Sequence, residues 1–81
     1  MNNWWWLSFA DEEFLGACLV QGDSFILAVG ESLRIGINPG GQVVGIGPIS
    51  EEEARDGGTP LNTLLRKEDI LNPVHFDGSD A

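Results

Sequence analysis

A small two-layer α+β sandwich is the fold this sequence predicts, and three observations predict it. Two short apolar runs near the start, Trp4 to Ala10 and Phe14 to Val20, are separated only by Asp11-Glu12-Glu13, as in an antiparallel hairpin. The apolar residues that follow, Phe25, Ile26, Val29 and Leu33, recur at spacings of three and four, as one face of a helix demands. A third apolar run, Gln42 to Gly47, lies beyond a glycine-rich turn. The expected order is β-β-α-β, with an antiparallel or mixed sheet, one main helix across one face, and short helix or strand additions toward the C-terminus.

Each element has its own local reason. The run Trp4-Trp5-Trp6-Leu7-Ser8-Phe9-Ala10 is aromatic-rich and too short for a good helix, which suits a strand. The hairpin link after it carries no glycine. Asp23 or Ser24 can cap a helix over about residues 24 to 35. Gly36 then offers the left-handed position, Ile37 the apolar contact that follows a helix end, and Pro39 forbids continuation. Gly30, inside the helix, predicts close packing against the sheet. Asn38-Pro39-Gly40-Gly41 is a tight turn, and the third strand is expected to close at Pro48. A right-handed crossover from the second to the third strand places the third beside the first.

Further along, Ser50 and Glu53 form a capping-box pattern, and Glu51-Glu52-Glu53 in the first turn favours a short helix ended by Gly57-Gly58. Leu61 to Leu65 reads as a short strand or a packed loop, and Lys67 to Leu71 as one helical turn before Pro73. The domain is expected to span 1–76, with 77–81 a loose acidic tail.

Composition narrows the function classes. Thirteen acids against four bases leave a net charge of −9 on 81 residues, so the chain repels phosphate backbones and anionic lipid surfaces. Direct nucleic-acid binding and membrane association are both disfavoured, and no apolar run approaches the roughly 20 residues a membrane helix needs. Cys18 is the only cysteine, so no internal disulfide can form, and a reducing, cytoplasmic setting is expected. It sits among Phe14 to Val20, where a lone thiol acts as a small hydrophobe.

Motifs for chemistry are absent. The glycines of Gly36 to Gly41 leave a helix C-terminus, where the dipole is negative, whereas a phosphate loop leads into a helix N-terminus. Cys18 and His75 alone cannot supply a zinc site, and His75 lies beyond Pro73 with no neighbour fixed for general-base work. The chain is read as a non-enzyme that needs no cofactor and no metal.

The tryptophans are the feature that asks for a function. On a strand, Trp4 and Trp6 share one face with Ser8, while Trp5 shares the other with Leu7 and Phe9. If the helix covers the Trp5 face, Trp4 and Trp6 either serve as interface anchors or are covered by a returning segment with Leu61, Leu64 and Leu65. Together with the acidic concentration Glu51, Glu52, Glu53 and Asp56, Trp4 and Trp6 are the candidate partner-binding residues.

The strings Trp6-Leu7-Ser8-Phe9-Ala10-Asp11, Phe14-Leu15-Gly16-Ala17 and Leu33 to Gly41 resemble small uncharacterised proteins encoded in bacteriophage and bacterial genomes. The resemblance transfers no catalytic or binding residue. It implies a context in which small acidic proteins block a host machine by binding it, anti-CRISPR proteins being the best-known kind. The leading expectation is therefore a cytoplasmic protein-interaction module, a phage-derived inhibitor of a host defence system acting on a basic host protein or complex by steric block or nucleic-acid mimicry. The alternative is a homo-oligomer that sequesters a small nucleotide signal, with a tryptophan stacked on the base. A homodimer and a monomer are equally open at this point.

Overall fold

The computed structural model describes residues 3–71. The chain forms β1 (Trp4–Ala10), β2 (Phe14–Gln21), α1 (Phe25–Arg34), β3 (Gln42–Ile49), α2 (Glu51–Asp56) and α3 (Lys67–Leu71). The expected tail, 77–81, and His75 lie outside the described residues. The three strands make one antiparallel sheet in the order β2-β1-β3, so the third strand does lie beside the first. The fold is a small α+β sandwich, and the tryptophan-bearing strand is its centre.

The hairpin closes without glycine because Asp11 does the work of one. Its carboxylate accepts from Glu13 N–H at 2.9 Å while its own N–H donates to the Glu13 carbonyl. A register shift follows between Phe9 and Ala10, opposite Gly16, whose φ of 150° places it where side chains are rarely found.

The central strand is covered on both faces. Leu7, Phe9, Cys18, Val20 and Ala28 form the first core under α1, with Trp5, Phe25, Val29, Ile35, Ile37 and Val43 packed around it. Ser24 caps α1 by accepting from Leu27 N–H, and Gly36, at φ 78°, ends it. Buried Ser32 donates to the Val29 carbonyl at 2.6 Å and accepts from Asn38 at 3.0 Å, which ties the following turn to the helix. The second core, on the opposite face, is Trp4, Leu19 and Ala54, with Trp6, Ile49 and Leu61 against it.

Three expectations are corrected. Gly30 is not a close-packing position: a Cβ there would meet nothing within 4 Å, because the residue lies on the outward side of α1. The close approaches to α1 are at Gly22, where a Cβ would come within 2.5 Å of the Ala28 backbone nitrogen, and at Gly45, where it would meet the Phe25 ring. The third strand does not close at Pro48 but runs through it to Ile49, with a register shift between Trp4 and Trp6 on the facing strand. Proline has no N–H to give, and an edge strand at a bulge needs none there. Lastly, Leu61, Leu64 and Leu65 do not act together. Leu61 joins the second core, Leu64 packs against the first, and Leu65 pairs its backbone with Ala17 at the outer edge of β2.

Candidate functional site

The face opposite α1 carries Trp4, Trp6 and α2, which hold the candidate partner-binding residues, and the structure sorts these into different roles. α2 is seated on this face through Ala54, which is buried in the second core. Its capping box is complete: Ser50 accepts from Glu53 N–H at 3.1 Å, and the Glu53 carboxylate accepts from Ser50 N–H at 3.3 Å. Glu53 is thus spent on the helix start.

Glu51 is spent on a tryptophan. Its Oε1 accepts from Trp4 Nε1 at 2.7 Å, and its other oxygen accepts from Arg55 Nε one turn along. The indole bond, then the guanidinium, hold the carboxyl below the ordinary glutamate range. Trp4 itself is 3% exposed. It is a core residue whose one polar atom is satisfied, so as a candidate interface anchor it presents no surface; the covering reading describes it, with α2 and Leu61 as the cover.

Glu52 and Asp56 differ from their neighbours. They lie one turn apart on α2, both exposed, and neither has a partner among the described residues. Trp6 differs from Trp4: it is half-buried at the margin of the second core. It forms one wall of an open cleft of about 550 Å³, whose other lining comes from Gly57, Gly58, Thr59, Pro60, Leu65 and Asp69. Asp69 is the only charged group in that lining, and its Oδ2 accepts from Arg66 N–H at 2.9 Å. An indole face beside a carboxylate suits a cationic group.

The cleft lining was not foreseen, because Thr59, Pro60 and Asp69 belong to a stretch without periodicity whose position depends on the pairing of Leu65 with Ala17. The exposed Val44 and Ile46 on β3 were also missed as surface; the signal available was an eight-residue strand with no charge in it.

Of the four basic side chains, Arg66 and Lys67 are adjacent at the start of α3, and the other two are engaged by carboxylates on opposite faces of the sheet. Arg34, on α1, is held by Glu31 through two bonds of 2.7 and 2.8 Å, and Arg55 is held by Glu51 on the other side of the sheet. Among the described residues, no three His, Cys, Asp or Glu side chains come together as a metal set, and no helix is long and apolar enough to cross a membrane. Cys18 is fully buried, and burial pushes its thiol up to about 11, which removes the thiolate that a nucleophile needs. In comparison with known proteins, the chain matches no family model, and no curated protein or solved structure is significantly similar to it.

Proposed function

We propose that this chain is a non-enzymatic interaction module that occupies a basic surface of a partner protein, in the manner of a phage-borne inhibitor of a host defence machine. The observation that carries the reading is the sorting of carboxylates on α2. Glu51 and Glu53 are used internally, whereas Glu52 and Asp56 stand outward with no cation among the described residues to neutralise them. In a chain of net charge −9, such a pair raises the local negative potential and steers a basic surface toward it.

In this mechanism the carboxylates stand where a nucleic acid's phosphates would lie, and the bulk of the domain blocks the approach of the nucleic acid itself. The cleft beside Trp6 adds specificity, since an arginine or lysine of the partner can lie on the indole face with its charge toward Asp69.

The test is capture of the partner by tagged full-length protein, from lysate of the cells that express it, at low and high salt. We expect a basic protein to be retained at low salt and released at high salt. Capture should fall at least about tenfold in E52R/D56R and in Trp6→Ala. Equal capture by the charge-reversed variant, or retention that salt does not weaken, would sink the proposal.

A further inference from the structure

We propose that the outer edge of β3 is a self-association surface, at which a second copy of this chain adds its own β3 antiparallel about a two-fold axis near Val44, making one six-stranded sheet. The inference rests on the backbone edge of β3 and not on the charge of α2, although Val44 and Ile46 share a sheet face with Trp6.

An edge strand presents a row of backbone N–H and C=O groups, and proteins ordinarily shield such edges with charge, proline, bulges or a covering segment. The sheet's two edges are treated differently. At β2 the chain covers its own edge: Ala17 and Leu65 exchange two backbone bonds of 2.9 and 2.7 Å, and Asn62 N–H donates to the Leu19 carbonyl at 2.9 Å. At β3 no segment among the described residues does so. Pro48 and the bulge shield only its far end, and Gln42 to Ile46 stays regular.

The side chains around this edge are apolar on both faces of the sheet. Val44 and Ile46, 65% and 63% exposed, lie on the α2 face beside Trp6. On the other face, α1 is oriented by two contacts: Ala28 sits against Gly22 at the end of β2, and the Phe25 ring sits against Gly45 of β3. The flank with Phe25 and Val29 therefore faces β3, and Leu33 and Ile26 continue that flank toward solvent. Ile26 and Leu33 are 76% and 64% exposed there. Of the five most exposed large apolar side chains among the described residues, two are on β3 and two follow Phe25 and Val29 around α1.

Charge selects the occupant. Two copies bring −9 each, so contact costs least where neither presents carboxylates, and no residue of β3 is charged. A second copy also brings an edge that is complementary to this one by symmetry, because the same row of donors and acceptors faces itself about a two-fold axis. The four side chains expose on the order of 500 Å² per copy, so a pair that covered them all would remove at most on the order of 1,000 Å², the lower end of a specific interface.

Sedimentation equilibrium of the full chain, from micromolar to millimolar concentration, tests this with wild type, Ile46→Asp, Val44→Lys and Glu52→Arg. We expect wild type and Glu52→Arg to dimerise alike, and each edge variant to weaken the dimer at least about tenfold. Both edge residues are exposed in one copy, so circular dichroism melts of the variants should stay cooperative. A monomer throughout, a larger assembly, or a dimer as tight in both edge variants as in wild type would overturn the proposal.

Discussion

Trp4 shows how one side chain can fix the role of another. An indole of that size belongs in a core, but its N–H needs an acceptor there, and Glu51 supplies it while also holding Arg55. Because the Glu51 carboxyl titrates below its ordinary range in the folded chain, its contribution to stability is fully present above the unfolded value and is lost as pH falls through the folded one. Glu31, lowered by Arg34, acts in the same direction. Thermal melts taken at stepwise lower pH, across about pH 5 to pH 2, should therefore show wild type losing more stability than Glu51→Gln, which has no such proton to take up. Equal acid sensitivity in the two would show that the Trp4 and Arg55 contacts do not hold the charge. Cys18 carries an equally direct expectation. Fully buried and with its thiol pushed up to about 11, it should resist a thiol reagent at neutral pH until the chain unfolds, and labelling of the native protein at the rate of a free thiol would contradict its place in the first core. Burial of Cys18 was legible from its apolar neighbours. That Trp4 and Trp6 part company was not, because alternation along a strand gives them the same face, and only the placement of α2 and Leu61 decides how much of each is covered.

At the scale of elements, contacts that meet at a single atom set the sharpest expectations. A methyl added at Gly22 would press on the Ala28 backbone, which cannot move aside without shifting α1, so Gly22→Ala should destabilise the domain by about 1–3 kcal/mol. Gly30→Ala meets nothing and gains helix propensity, so it should stabilise by up to about 1 kcal/mol. Denaturant midpoints of the two variants should move in opposite directions. A Gly30→Ala variant less stable than wild type would mean that α1 faces the sheet differently. The same pair shows what the sequence could convey. The strands, the main helix, its end at Gly36 and the capping box of Ser50 and Glu53 follow from periodicity and local motifs, and the third strand lies beside the first as expected; that Ser24 and not Asp23 caps α1 is shown only by the structure. Which glycine makes the close approach depends on the rotation of α1 about its axis, which periodicity assigns only coarsely. The run of β3 past Pro48 depends on its being an edge strand, a property of the whole sheet and not of its own residues.

At the scale of the whole molecule, β3 is free of charge among the described residues, while α2 carries the outward carboxylates. The uncharged edge of β3 borders Trp6 on the same sheet face, and the edge of β2 is closed by the chain itself. Such an arrangement suits a domain that meets two kinds of neighbour, a basic one through charge and a like one through its sheet. The acidic face is the central claim, and native mass spectrometry of the protein purified with its partners from the cells that express it tests that claim most directly. The account predicts a stoichiometric complex with a basic protein, shed as ionic strength rises and absent with E52R/D56R. An assembly of this chain alone carrying a retained small molecule would contradict it and favour sequestration of a ligand.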